Sequence, residues 1–110
     1  MHFVIHAIDH PDSLTERLAH RVDHRKRIET LYNEGRLVTA GPLPNEAESD
    51  PQVSGFSGSL IIADFPNEAS ARAWADTDPY VLNGVYAEIR VYPFLQTFTA
   101  SPVTSSATTH

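Results

Sequence analysis

Apolar and polar residues alternate in four segments of the chain, and this pattern predicts four β-strands. The predicted strands cover residues 3–9, 36–40, 56–65 and 85–94. A period of two is typical of strands whose two faces meet different surroundings. The first and third strands carry apolar side chains on both faces, so the sheet needs a covering surface on each side.

The last predicted strand gives the clearest assignment of faces. One face carries Val85, Ala87, Ile89 and Val91, and the other carries Tyr86, Glu88, Arg90, Tyr92 and Phe94. Because successive side chains of a strand point to opposite faces, Tyr86 is expected on the face opposite to Val85.

Residues 14–34 have the spacing of an amphipathic helix. His24 lies four residues before Ile28, on the stripe that faces the core. Polar residues crowd at positions 20–23, so the helix is predicted to break there and its firm part to cover residues 22–34.

A second, shorter helix is predicted after the third strand. Asn67 is a suitable N-cap, because its side chain can accept a hydrogen bond from a free backbone N–H. Ala71, Trp74 and Asp78 fall on one inward stripe. Pro79 disfavours the helical conformation of the residue before it, so the helix stops at this point.

The element order β-α-β-β-α-β predicts an α+β, ferredoxin-like fold, with a four-stranded antiparallel sheet and two helices on one face. The uncovered face predicts a face-to-face homodimer, in which a second copy buries the apolar groups.

The folded domain is expected over residues 1–98. Residues 99–110 are rich in Ser and Thr without an apolar period, which predicts a disordered tail.

Composition narrows the possible functions. The 110-residue chain has a net charge of −6, which argues against general nucleic-acid binding. It has no cysteine, which excludes disulfides and thiolate metal sites and fits a cytoplasmic location. No segment approaches the ~20 apolar residues of a membrane helix, and no phosphate-binding loop or nucleophilic serine elbow is present. We therefore expect no cofactor and no membrane partner.

Positive charge is concentrated in one stretch of this acidic chain. Five of the eight cationic residues lie within residues 17–27, together with His20 and His24. The local potential can attract an anionic small molecule, although a solvated helix face explains the same run. The two histidines have the i, i+4 spacing of metal ligands, but no third ligand is evident, so no metal site is predicted.

His24 is the best candidate for proton transfer, because an imidazole titrates near neutral pH. Asp78 can orient its ring and stabilise the charged form. Each residue also has a plain structural explanation: a satisfied histidine at the core edge, and an aspartate that ends a helix. We expect the two helices to run in the same direction, which would place His24 and Asp78 at opposite ends. They would then act through a ligand, through a water molecule or across subunits.

Several short motifs occur in a specific joint order along the chain. They are residues 14–24, 33–37, 39–42, 55–59, 73–76, 78–81 and 84–86. With them the chain resembles the YciI-like, or YCII-related, family over residues 3–98. The resemblance implies a ferredoxin-like fold, a dimeric α+β barrel and an active site centred on a histidine and an aspartate, which by position are His24 and Asp78. A relative of this kind removes chloride from a chlorinated hydroxyhydroquinone, and muconolactone isomerases share the dimeric fold.

Five further residues are candidates for substrate binding. Gly41 and Pro42 can form a backbone wall, and Ser59 can donate a hydroxyl hydrogen bond. Tyr80 can present a ring and a phenol, and Arg21 can hold a carboxylate by a two-point contact. Each is more commonly structural, as a turn, a strand hydroxyl, a core ring or a surface cation.

Three functions remain open at this point. The first is a small cofactor-independent enzyme that moves a proton on, or eliminates a leaving group from, a small cyclic or aromatic anion by isomerisation, elimination or dehalogenation. The second is a non-catalytic small-molecule-binding or stress-related module with the same pocket. The third is a cofactor-free oxygenase of the dimeric barrel type.

Overall fold

The computed structural model describes residues 1–48 and 50–100, and residues 101–110 of the predicted tail lie outside this part. The elements are β1 (His2–Asp9), α1 (Leu14–Ala19), α2 (Arg21–Asn33), β2 (Leu37–Pro44), α3 (Pro51–Ser54), β3 (Phe56–Asp64), α4 (Glu68–Asp76), α5 (Pro79–Leu82) and β4 (Tyr86–Phe94). The strands form one antiparallel sheet in the order β2-β3-β1-β4, and α2 and α4 pack on one face of it. The predicted α+β, ferredoxin-like fold is confirmed.

The direction of the two main helices differs from the expectation. β1 and β3 are antiparallel neighbours, and each helix runs back along the strand that precedes it. Therefore α2 and α4 run in opposite directions, and the expectation of a common direction is wrong. The start of α2 and the end of α4 consequently lie at the same end of the sheet.

The first helical segment breaks where polar residues crowd. α1 ends at Ala19 and α2 begins at Arg21, with His20 between them in a non-helical conformation (φ −109°, ψ 11°). In α4, the Asn67 side chain accepts a hydrogen bond from Ser70 N at 2.8 Å, as the capping argument predicts.

β2 extends further than expected, through Gly41 and Pro42 to Pro44. Proline lacks the N–H that a central strand needs for its second neighbour, but β2 is an edge strand with a single neighbour, β3. The following connection contains the short helix α3, in which the Asp50 carboxylate accepts a hydrogen bond from Gln52 N at 2.9 Å and so caps the N-terminus.

A β-bulge in β4 reverses the predicted face of Tyr86. Ile8 pairs with Glu88 but Asp9 pairs with Tyr86, so β4 has one extra residue, Ala87, at this point. Tyr86 is therefore buried on the helix side, at 6% exposure, and Ala87 is exposed. The face predicted for Tyr86 from strict alternation is wrong.

Two groups of buried apolar residues fill the space between helices and sheet. The apolar cluster consists of Phe3, Ile5, Leu31, Ile61, Ala63, Phe65, Ala71, Ala75 and Val91. The aromatic cluster consists of Ala7, Tyr80, Val85 and Tyr86. Within residues 1–48 and 50–100, no helix is long and apolar enough to cross a membrane.

Candidate active site

A cavity of about 840 Å³ opens between α1, α2 and the β2–β3 side of the sheet. His24 lines it, and so do all five residues predicted to bind substrate: Arg21, Gly41, Pro42, Ser59 and Tyr80. The fold thus brings together residues from two helices and two strands that the sequence analysis singled out separately. Their roles in binding remain predictions.

His24 and Asp78 are in direct contact, so the expected separation of the two residues is wrong. Nδ1 of His24 lies 2.9 Å from both carboxylate oxygens of Asp78. The contact follows from the opposite directions of α2 and α4: His24 lies early in α2, and Asp78 lies just beyond the end of α4. Both side chains are largely buried, with exposures of 11% and 2%.

Local backbone structure holds the Asp78 carboxylate in place. Asp78 is the N-cap of α5, and its Oδ1 accepts a hydrogen bond from Tyr80 N at 2.9 Å. Pro79 at the first position of α5 suits this cap, because its fixed φ is helical and its missing N–H is not needed there. Nη1 of Arg27 adds positive charge 3.4 Å from Oδ2. The carboxylate is therefore fixed before any ligand arrives.

Two aromatic rings fix the plane of the His24 imidazole. Tyr80 stacks on it, with ring centroids 4.1 Å apart and planes 11° from parallel. Tyr86 meets it edge-on at 6.3 Å. Tyr80 thus supports His24 with one ring face, in addition to lining the cavity. Burial raises the pKa of the Tyr80 phenol, which stays neutral at physiological pH.

Tyr86 also contributes an unpaired polar atom. Within the residues that the structure describes, its buried hydroxyl has no hydrogen-bond partner. Burial raises the pKa of this phenol strongly, whereas Ser59 lies close enough to lower it without making a hydrogen bond of good geometry to the hydroxyl. Strict alternation places Tyr86 on the wrong face, because a one-residue bulge leaves no clear signal in an alternating pattern.

Arg17 is the main cavity residue that the sequence analysis did not single out. It is only 4% exposed. Its Nε and Nη2 donate to Asp9 at 2.9 and 3.2 Å, and Nη2 also donates to Gly58 O at 2.9 Å and to Ser59 Oγ at 2.8 Å. The seven-residue spacing from Arg17 to His24 gives no reliable signal, because the helix breaks at His20 between them.

Gly58 is required where this arginine meets the sheet. A Cβ at this position would collide with the carbonyl oxygen of Ala7 on the neighbouring strand. The absence of a side chain therefore allows β1 and β3 to approach closely and leaves the Gly58 carbonyl available to Arg17.

Most of the charged residues that line the cavity are cations, although the whole chain has a net charge of −6. The charged lining residues are the cations Arg17, Arg21, Arg25 and Lys26 and the acid Glu29. Such a lining favours anionic ligands and raises their local concentration.

His20 and His24 have different partners. His20 Nε2 lies 3.6 Å from Glu16 Oε2, on the same helical turn, whereas His24 binds Asp78. Over the described ranges, no group of three or more potential metal ligands is arranged around one point.

Comparisons with known proteins agree with this architecture. The model of the YCII-related domain matches residues 1–95. The chain is 49% identical over 98 residues to protein YciI of Escherichia coli O6:H1 and 47% identical to a protein of Haemophilus influenzae. Each match covers 89% of this chain and all of the relative.

A solved structure has a similar fold. It is a 5-chloro-2-hydroxyhydroquinone dehydrochlorinase from Burkholderia phenoliruptrix AC1100 in complex with 2,5-dihydroxybenzoquinone. Its TM-score is 0.76 at 22% identity, over 86% of this chain and 94% of that one.

Proposed function

The chain belongs to the YCII-related domain family, and from that premise we propose that it is a small cofactor-independent enzyme with His24 as its general acid and base. One observation carries the proposal. The His24 ring lines the cavity while its Nδ1 is held by both oxygens of a buried aspartate. An imidazole that merely fills space at the core edge does not need a buried carboxylate behind it.

The contact with Asp78 determines which nitrogen can react. A carboxylate accepts hydrogen bonds, so Nδ1 of neutral His24 carries the proton and donates it to Asp78. Nε2 then has a free lone pair on the opposite side of the ring. When Nε2 takes up a proton, the Asp78 carboxylate stabilises the imidazolium that results.

Elimination of a leaving group from a hydroxylated ring fits this arrangement. Nε2 of His24 takes the proton of a ring hydroxyl, and the O–H electron pair forms a carbonyl. The ring reacts in its keto tautomer, in which the carbon that bears the leaving group also carries a hydrogen. The displaced C=C electron pair forms a new double bond to that carbon, and the leaving group departs with the electrons of its bond to carbon. His24 finally releases the proton to solvent, so the reaction loses one proton and one anion. Isomerisation uses the same residue to return the proton at another carbon.

The lining of the cavity supports a cyclic or aromatic anion as the substrate class. Its cations favour negative charge, and we assign the carboxylate or phenolate contact at the entrance to Arg21. Gly41 and Pro42 form a wall, Tyr80 stacks on His24, and Ser59 accepts a hydrogen bond from Arg17. The dehydrochlorinase with a similar fold, whose complex contains a dihydroxybenzoquinone, is consistent with this class.

The site is proposed to function in a homodimer. The sheet face away from the helices carries Val4, Ile8, Leu60 and Ile62, all partly exposed and brought together by the strand register. Burying this face against a second copy removes apolar surface from water. Sedimentation equilibrium should give twice the 12.2 kDa chain mass. A monomeric wild type at micromolar concentration would refute the dimer.

A His24→Gln variant tests the catalytic proposal. The wild type is screened for chloride release or isomerisation with chlorinated hydroxyquinols, hydroxylated rings and lactones. We expect His24→Gln to lower kcat for any hit by about 10²–10⁴-fold, because it removes the general base. His20→Gln, one helical turn away and outside the cavity lining, is the matched control and should keep wild-type turnover.

The same screen separates the alternatives. Unchanged turnover in His24→Gln would reject His24 as the acid and base. Ligand binding that survives His24→Gln, without turnover of any compound by the wild type, would favour a non-catalytic binding module. Oxygen uptake with quinols would favour a cofactor-free oxygenase.

A further inference from the structure

Arg17 is unusual as a buried cation at the cavity. It lies on α1, is 4% exposed, and has its guanidinium carbon 4.7 Å from the Phe56 ring centre and 4.9 Å from that of Tyr80. Placing a cation between aromatic rings has a desolvation cost that a simple link between α1 and the sheet does not require.

The hydrogen bonds of Arg17 use only part of its guanidinium. Nε and Nη2 form a two-point contact with Asp9, and Nη2 also serves Gly58 O and Ser59 Oγ. Over residues 1–48 and 50–100, Nη1 is the guanidinium nitrogen of Arg17 for which no hydrogen bond is found. Nη1 does not belong to the side-chain atoms that are both fully buried and without a hydrogen-bond partner, so it keeps some exposure. Because Arg17 lines the cavity, Nη1 is the nitrogen that remains for the cavity.

Asp9 holds this donor in a fixed orientation. Its side chain is 2% exposed, and a two-point contact prevents rotation of the guanidinium plane. Burial lowers the pKa of Arg17, but the hydrogen bond and charge of Asp9 outweigh this and raise it above the ordinary value. The group is therefore a permanent, preorganised cation in a largely dry place.

We propose that Nη1 of Arg17 binds an anionic oxygen of the ligand in the cavity that His24 lines, and that it stabilises the negative charge formed when His24 deprotonates the substrate. This inference rests on the proposed function and deepens it. It adds a deep contact for an oxyanion to the entrance contact assigned to Arg21. A preorganised donor aimed at developing charge commonly contributes a factor of about 10²–10³ to kcat.

The first test measures ligand charge preference. The probes are 2,5-dihydroxybenzoquinone, a ring acid that is anionic at neutral pH, and hydroquinone, a neutral ring of similar size. Calorimetry should show that Arg17→Lys weakens binding of the anion by at least about tenfold, because the ammonium cannot both satisfy Asp9 and reach the ligand. Binding of hydroquinone should change by less than about twofold. Equal losses for both probes, or none, would overturn the proposal.

A second variant covers the case in which Arg17→Lys does not fold. The double variant Arg17→Met/Asp9→Leu removes both buried charges and leaves neither unpaired. It should bind hydroquinone as the wild type does, and its preference for the anion should fall by at least about tenfold, to what the remaining cations such as Arg21 supply. In the wild type, nitrogen-15 NMR should show that the anion, but not hydroquinone, shifts the Arg17 guanidinium resonances. Absence of that shift at saturating anion would reject the contact.

His24→Gln separates this inference from the proposed reaction. The variant keeps Arg17 and should still prefer the anionic probe, although it has lost turnover. Arg17-dependent anion binding without turnover of any compound would leave this contact intact and reject the enzyme. Turnover together with anion binding that does not depend on Arg17 would support the enzyme and reject this contact.

Discussion

The two ends of the layer between helices and sheet are filled by different chemistry. At one end, the apolar cluster packs aliphatic and aromatic side chains such as Leu31 and Ile61 without a buried charge. At the other end, the aromatic cluster surrounds the buried polar groups Arg17, His24 and Asp78. Burial stabilises the first arrangement directly, whereas the second must recover the desolvation cost of its charges through paired contacts.

This difference indicates a division of labour within one small domain. The apolar cluster supplies stability that does not depend on orientation, since apolar burial is non-directional. The site end supplies oriented groups, and each of its buried charges has a partner: Asp9 for Arg17, and Asp78 for His24. Such an arrangement is sensitive to the loss of one partner and tolerant of the loss of both.

Breaking the Arg17–Asp9 pair should give the largest effect on stability. Asp9→Ala leaves the Arg17 guanidinium buried without its carboxylate, and we expect the free energy of unfolding to fall by about 3–5 kcal/mol in urea titrations. The matched variant at the other end, Leu31→Ala, should cost about 2–5 kcal/mol through its cavity. It should leave the preference for anionic probes unchanged.

The double variant Arg17→Met/Asp9→Leu sharpens this comparison. If the charges are present for function, replacing both should recover much of the stability that Asp9→Ala loses. Additive losses in the double variant would show instead that the pair is a net source of stability, and the contrast between the two ends would then disappear.

Much of the fold was predictable, because local patterns determine it. Alternation located the strands, and the Asn67 cap located the start of α4. The candidate site was predictable as a set of residues, since His24 and the five predicted binding residues all line one cavity. Its internal geometry was not. The direct contact of His24 with Asp78 depends on the antiparallel relation of β1 and β3, which fixes the helix directions.

Two further site residues escaped the sequence analysis for different physical reasons. Tyr86 reaches His24 because a bulge at Ala87 shifts β4 by one residue, and a single-residue shift leaves no mark in the alternating pattern. Arg17 lies in a run of cations that is typical of a solvated helix face. Its burial depends on Asp9 and Gly58, which are distant in sequence or outside the helix.

Replacing Tyr86 by Phe should give the smallest effect on the free energy of unfolding, and it should stabilise the chain where the other variants destabilise it. The substitution keeps the ring that meets His24 and removes a buried hydroxyl without a partner among the described residues. We expect the free energy of unfolding to stay unchanged or to rise by about 1 kcal/mol at neutral pH. Tyr32→Phe, at a tyrosine that is 68% exposed, controls for loss of a phenol in general.

Alkaline pH should enlarge the difference in unfolding free energy between Tyr86→Phe and the wild type. Because burial raises the pKa of Tyr86 in the folded chain, the unfolded chain loses this proton first, at the ordinary tyrosine pKa of about 10. Stability is therefore fully present below that pH and falls as the pH rises above it, by at most about 1.4 kcal/mol per pH unit for one group. Urea titrations at several pH values above about 10 should show that the free energy of unfolding falls less steeply with pH for Tyr86→Phe than for the wild type. Tyr80 is present in both proteins and contributes in the same direction. Equal slopes would mean that the Tyr86 phenol ionises as readily in the folded chain as in the unfolded one, and the site end would then be wetter than its packing indicates.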